Sequence, residues 1–292
     1  VLRLPSEEVV ITRRVFLSSV AGAIVGSSSR RALAGPRRTP VAFVSHGGPM
    51  IAIDPVRGPQ LRAWGQAMPK PSGVVALTPH WGSRRLLLGA TGRGVAQYDF
   101  PRWLASKLPA DLRYETPPSD ALAARVAALT GAAPGERAGM DHTTWMPLRH
   151  MFPAADVPVL EVSYPYVDDA SLFALGHRLA PLRDEGVMLL ASGGMTHNLA
   201  SVDLEAPAQP PPAWSREFDA WSAERLAALD ADAVIDWRRK APGADLAHPD
   251  DGAHFRVLLV ALGAALASGT AAVRFPSEGF DLGLSMRCVE LA

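Results

Sequence analysis

The chain predicts a single-domain α/β fold, with a central, mostly parallel or mixed sheet flanked by helices. From Pro40 onward, short apolar runs rich in β-branched residues alternate with longer amphipathic segments. That is the pattern of strands covered on both faces by the helices that connect them. A histidine stands at the end of three of those runs, at His46, His80 and His197, and open α/β sheets bind ligands at the carboxyl ends of their strands. With 292 residues, 48% of them hydrophobic, the chain is long enough to bury one sizeable core.

Taken in order, residues 1–34 read as a leader. Thr12-Arg13-Arg14-Val15-Phe16-Leu17 has the form of a twin-arginine n-region, residues 15–26 of an apolar h-region, and Ala32-Leu33-Ala34 of a small-x-small cleavage site. The expectation is a twin-arginine signal peptide over 1–34, export to a bacterial periplasm, and one folded catalytic domain over 35–292. The apolar stretch is short and rich in Ser and Gly, which argues against stable membrane insertion.

Strands are predicted at Val41 to Ser45, Gly73 to Thr78, Val157 to Val162 and Val187 to Ser192. Helices are predicted at Pro59 to Met68, Asp120 to Leu129, Ser171 to Arg183 and Trp214 to Leu229, with Asp120 and Ser171 as caps. The Pro-rich stretch 206–212 reads as a stiff connector. His254 to Ala267 reads as a further helix, and Ala271 to Phe275 and Met286 to Leu291 as closing strands. There is no internal repeat.

Charge and cysteine content narrow the chemistry. The 29 basic and 29 acidic side chains balance, which argues against nucleic acid as a partner, because phosphate binding needs surplus Lys and Arg. Cys288 is the sole cysteine. It excludes an intramolecular disulfide and a Cys-rich zinc site, so a metal would be held by imidazole and oxygen. It is expected to be a packed small hydrophobe.

His46 in Val-Ser-His-Gly-Gly-Pro, His80 in Leu-Thr-Pro-His-Trp, His197 in Gly-Gly-Met-Thr-His-Asn and His254 in Gly-Ala-His-Phe fall where strands end or helices begin. Their convergence on one ion gives the reading of a mononuclear metal centre. Gly47 after His46 allows positive φ and leaves space for a ligand. Asn198 is a candidate helix start or support for the site. His142, in Met-Asp-His-Thr-Thr-Trp, is read as a loop residue that either reaches the same pocket or pairs with Asp141. His150 and His177, flanked by Arg149 and Arg178, are assigned to solvated helix faces, and His248 to a loop.

Seven motifs recur in order: Ser45-His46-Gly47-Gly48-Pro49-Met50, Pro79-His80-Trp81, Tyr98-Asp99-Phe100, Met140-Asp141-His142-Thr143-Thr144-Trp145, 184–193 leading to His197-Asn198, His254-Phe255, and Leu284-Ser285-Met286. Together they resemble the class III extradiol ring-cleavage dioxygenases, in the single-chain DOPA-extradiol-dioxygenase-like branch related to the β subunit of protocatechuate 4,5-dioxygenase. The resemblance runs from about Pro40 to the C-terminus. It implies an α/β fold and extradiol cleavage of a catechol with O2. It also implies a metal held by His46, His80 and His254, with His197 as acid/base or as a further ligand, and His142 hydrogen-bonding the substrate or oxygen.

On this reading Trp81 and Tyr98 are substrate contacts and Fe(II) is the cofactor. Asp250, Asp251 and Glu278 are alternative carboxylate ligands to His254. A three-histidine set also suits Zn(II), which lacks redox chemistry. That keeps two alternatives: a zinc hydrolase or isomerase, and a non-catalytic exported metal-binding protein. Pro101-Arg102 departs from the family pattern beside the expected pocket, which leaves the substrate open. The sequence leaves homo-oligomerisation open as well.

Overall fold

Along the first strand, β1 (Val41–Ser45), Val41 and Phe43 enter one hydrophobic core while Ala42 and Val44 enter another. This is the period-two alternation of a strand buried on both faces. The computed structural model describes residues 38–206 and 210–292. The leader expected over 1–34 and positions 207–209 of the Pro-rich connector lie outside the described residues.

The main sheet has eight strands: β1, β2 (Gly73–Ser83), β3 (Leu87–Leu88), β4 (Ala133–Pro134), β5 (Val159–Pro165), β6 (Val187–Gly193), β7 (Val273–Arg274) and β8 (Val289–Leu291), in the order β4-β3-β5-β2-β6-β1-β8-β7. The four expected core strands sit together as β5-β2-β6-β1 and are mutually parallel. Short antiparallel strands flank them, so the sheet is mixed. Ser45 lies opposite Gly193 and Leu77 opposite Ala191, so β1, β2 and β6 deliver their histidines to the same edge.

Among the described residues, six helices of ten or more residues cover the sheet: α1 (Arg57–Ala67), α2 (Asp120–Thr130), α3 (His142–Met151), α4 (Asp169–Leu179), α5 (Ala213–Ala227) and α6 (Ala253–Ala267). Side chains of α2, α4, α5 and α6 join the Val41/Phe43 core, and those of α1 and α3 the Ala42/Val44 core. Cys288 is fully buried, as expected.

Several local expectations need correction. The predicted helix to Arg183 stops at Leu179 because Pro181 has no N–H to continue it, and a separate turn follows over Pro181–Asp184. Its cap is Asp168, which accepts from Ser171 N at 2.7 Å, not Ser171 itself. Asp120 lies in the first turn of α2 rather than capping it, and accepts from Thr91 Oγ1. His142 opens α3 and is not a loop residue. His150 is buried, with Nε2 donating to the Ile51 carbonyl at 2.8 Å. His248 is fully buried among Phe218, Trp237 and Phe255. His177 stays exposed, as read.

Candidate active site

Where β2 passes β5, Leu77 pairs with Val162 but Gly82 pairs with Tyr164. β2 thus advances five residues while β5 advances two, and the excess forms a bulge carrying His80. The sequence reading ended this strand at Thr78. Bulges kink a strand and re-aim side chains, which is how β2 runs on to Ser83 while presenting an imidazole at the sheet edge.

His46 follows β1 and is tied back by its N–H to the Gly193 carbonyl at 3.0 Å. Its Nδ1 lies 3.1 Å from Ser192 Oγ, and Ser192 Oγ donates to the Thr143 carbonyl at 2.5 Å. The serine hydrogen is therefore committed, so its oxygen accepts from His46 Nδ1–H and the Nε2 lone pair is left for the cluster. Gly47 has φ +64°, the left-handed turn expected of it.

His254 lies in the first turn of α6, and its carbonyl accepts from Gly194 N at 3.0 Å. A Cβ on Gly193 would come 2.0 Å from that same carbonyl oxygen. The Gly-Gly after β6 thus lets α6 start against the sheet edge.

Ligand nitrogens of His46, His80 and His254 lie within 4.8 Å of one another. Their ring centroids are 5.3 to 5.4 Å apart. Burial first, and the neighbouring imidazoles next, push His46 and His254 well below the ordinary histidine range. Burial also lowers His80, partly offset by Asp141. Neutral imidazoles with free lone pairs are what a divalent cation requires. His254 Nδ1 is buried without a hydrogen-bond partner, a further sign that the donor set fits an ion. Of the carboxylate alternatives, Asp251 and Glu278 are otherwise engaged. Asp251 Oδ1 accepts from Ala253 N, and Glu278 pairs with Arg287 at 2.6 Å.

His197 is not in that triad, but with Asp250 and His254 it forms another group that could hold a cation. It stacks on His254, with centroids 3.4 Å apart and planes 7° from parallel, and its Nδ1 faces Asp250 Oδ2 at 3.6 Å. Burial lowers its pKa against the opposing pull of Asp250. Asn198 precedes the short turn Leu199–Ser201 and donates to the Leu246 carbonyl at 2.8 Å, in the short helix Ala244–Ala247, so it is a helix start and brace rather than a pocket group.

His142 reaches the cavity beside His80, at 5.1 Å between centroids. Its partner is Asp99, not Asp141: Asp99 Oδ1 accepts from both His142 N (3.0 Å) and Nδ1 (2.9 Å). Burial alone would raise Asp99, but these bonds outweigh it and hold the carboxyl below its ordinary range. His80, Asp99, Asp141 and His142 could also surround a cation, yet Asp141 is already taken. Its Oδ1 accepts from Thr143 N and Thr144 N at the start of α3, and its Oδ2 pairs with Arg137 at 2.9 Å.

A profile of the catalytic LigB subunit of aromatic ring-opening dioxygenase matches residues 42–281. The chain belongs to the LigB family. Among its relatives, this LigB-family chain is 33% identical over 234 residues to a 4,5-DOPA dioxygenase extradiol of Beta vulgaris, covering 76% of this chain and 85% of that one. It is 31% identical over 266 residues to the protein of that name in Escherichia coli, covering 87% and 95%. The crystal structure of an uncharacterized Escherichia coli K12 protein superposes with a TM-score of 0.73 at 30% identity, covering 87% of this chain and 100% of that one. The expected class, a metal-dependent extradiol ring-opening dioxygenase, is thus met at the level of the family.

The five histidines line one cavity of about 600 Å³. Trp81 and Tyr98 do not line it. Trp81 follows His80 in the strand and points to the other side, into a depression with Arg137 stacked over its ring at 5.7 Å. Tyr98 packs on Trp145 and donates its hydroxyl to the Leu112 carbonyl, while the adjacent Asp99 turns toward His142. The aromatic wall is Trp103, which sequence reasoning missed. It follows Pro101-Arg102, the segment already marked as departing from the family pattern. Ser192 and Asp99 were also missed as partners of His46 and His142, although both lie within quoted motifs.

Proposed function

We propose that the chain catalyses Fe(II)-dependent extradiol cleavage of a catechol with O2. The observation that carries this reading is the convergence of His46, His80 and His254 beneath a cavity that His142 and His197 also line, in a chain of the LigB family. The three imidazoles would hold the ion, which when bound supplies a redox-active centre where catechol and O2 can meet. His197, kept neutral by burial and oriented through Nδ1 by Asp250, takes a catechol hydroxyl proton at Nε2 and later returns it. His142, fixed through Nδ1 by Asp99, directs Nε2 at the substrate.

The all-imidazole set supports a second reading, a Zn(II) site with hydrolytic or isomerase chemistry. Anaerobic purification, metal quantification, Fe(II) reconstitution and oxygen-uptake measurements with simple catechols separate the two. Stoichiometric uptake with a yellow ring-opened product is expected. Zinc at full occupancy, with no uptake after iron loading, would overturn the iron reading.

Export by the twin-arginine route belongs to the same proposal and rests on Arg13-Arg14 and the apolar stretch behind them. Replacing both arginines by lysine is expected to hold the protein in the cytoplasmic fraction, and unchanged periplasmic recovery would refute it. Among the described residues, no helix is long and apolar enough to cross a membrane.

A further inference from the structure

The cavity has two chemically different parts. Its floor is the histidine cluster, and its walls are apolar: Trp103 and Leu104 on one side, Leu199, Val202 and Leu204 on another, and Leu282 on a third. Among the described residues, no lysine or arginine lines it. The nearby guanidiniums are engaged by the framework: Arg287 pairs with Asp219 (2.7 Å) and Glu278 (2.6 Å), and the buried Arg57 lies behind the wall, donating to the Ser45 carbonyl.

The wall hydroxyls are committed to the framework. Ser45 Oγ donates to the Arg287 carbonyl at 2.7 Å, Thr196 Oγ1 accepts from Ser285 N at 2.7 Å, and Ser285 Oγ donates to Asp219 at 2.6 Å. The charges that do face the cavity region are carboxylates: Asp281 in the wall, Asp99 behind His142 and Asp250 behind His197. Along the walls an anionic substituent would meet no cationic side chain and would face these acids, so its charge would find no partner there.

The mouth points the same way. Trp103, Leu199 and Leu204 are 56%, 65% and 66% exposed, large apolar side chains open to water around one opening. Exposed apolar surface grouped in this way marks a binding surface. A cavity of about 600 Å³ falls in the range that encloses multi-ring ligands, so a bare catechol would leave most of it empty.

We propose that the substrate is a catechol bearing an uncharged alkyl or aryl substituent that lies against Trp103, Leu199 and Leu204, and that carboxylated catechols are disfavoured. This deepens the ring-cleavage reading and rests on it. It also separates this chain from relatives named for DOPA, an amino acid with a free carboxylate.

The test is calorimetric titration of the Fe(II)-loaded protein without oxygen, using 4-methyl-, 4-ethyl-, 4-propyl- and 4-butylcatechol against 3-(3,4-dihydroxyphenyl)propionate, with oxygen uptake measured in parallel. Affinity is expected to rise about fourfold per methylene, as for burial of a CH₂ group. The carboxylate is expected to bind at least about tenfold more weakly than butylcatechol. Leu204→Arg should narrow that gap by favouring the carboxylate. Equal or tighter binding of the carboxylate, or no dependence on chain length, overturns the proposal, as does failure of every catechol to bind. If the binding order holds but no ring is opened, the preference stands and the ring-cleavage reading falls. If rings are opened with the carboxylate preferred, the reverse is true.

Discussion

Ser192 decides which nitrogen His46 can offer to an ion, because its own proton goes to the Thr143 carbonyl. Ser192→Ala is therefore expected to weaken metal affinity by roughly 10- to 100-fold, the usual effect of losing an outer partner, while the fold stays intact. Competition with a chelator would measure it, and unchanged affinity would refute the tautomer argument. The triad itself makes a sharper prediction. His46→Ala and His80→Ala should come out metal-free by elemental analysis, whereas His197→Ala should retain metal and lose turnover by roughly 10²- to 10⁴-fold. A metal-free His197→Ala protein would make His197 a ligand instead of the base. Motif spacing made these histidines legible in the sequence, but it does not encode the stacking of His197 on His254 or its pairing with Asp250.

At the scale of elements, α3 carries His142 and Thr143 into the site, and its N-terminus is held by a buried acid network. Asp141 caps the helix, and Asp141 N in turn donates to Glu161 Oε2 at 3.0 Å. Arg137 approaches Glu161 Oε1 at 2.7 Å, an ion pair without hydrogen-bond alignment. Burial, and then the Asp141 charge, push the Glu161 carboxyl up to about 8. Asp141→Ala should cost roughly 1–2 kcal/mol in cap energy. It should also lower kcat/KM, because the helix start that aims His142 loosens. Glu161→Gln keeps the acceptor and should be milder in both respects, as urea unfolding and steady-state rates would show. An equal or larger loss in Glu161→Gln would mean that the charge, not the acceptor, anchors the helix. The sequence predicted the helical stretch behind His142 but placed His142 in a loop before it. The cap shows that Asp141 is the boundary residue.

For the whole molecule, buried histidines outside the His46, His80 and His254 cluster contribute to the acid response. Burial pushes His248 from an ordinary 6.5 down to about 4, opposed by its bond to the Met195 carbonyl and by Asp250, and aided by His197 and Arg238. His150 is lowered as well, by burial first, with Arg149 and Arg62 lowering it further and the Ile51 carbonyl and Asp54 raising it. A depressed folded pKa means that the unfolded chain binds the proton first. Stability is therefore intact above about 6.5 and is lost as pH falls toward about 4, by roughly 3 kcal/mol for His248 alone. Glu161, raised in the folded state, works in the opposite direction between about 4.5 and 8. Because Glu161 offsets the histidines over this range, the His248 part is read as a difference: relative to the parent protein, His248→Gln should change the slope of urea midpoint against pH between about pH 7 and pH 5 by removing its loss on acidification. An unchanged slope would place the acid sensitivity elsewhere. By itself, the sequence determined the four core strands, the main helices and which histidines the fold brings together. Apolar periodicity and strand-end motifs are local signals, and the parallel order brings the ends of β1, β2 and β6 to one edge. Tertiary structure alone decided the rest: the bulge that aims His80, the burial of His150 and His248, the partners Asp99, Ser192 and Asp250, and the exchange of Trp81 and Tyr98 for Trp103 and the leucine walls. Each of these depends on which distant segments meet across the sheet edge, and no window of local sequence contains that information.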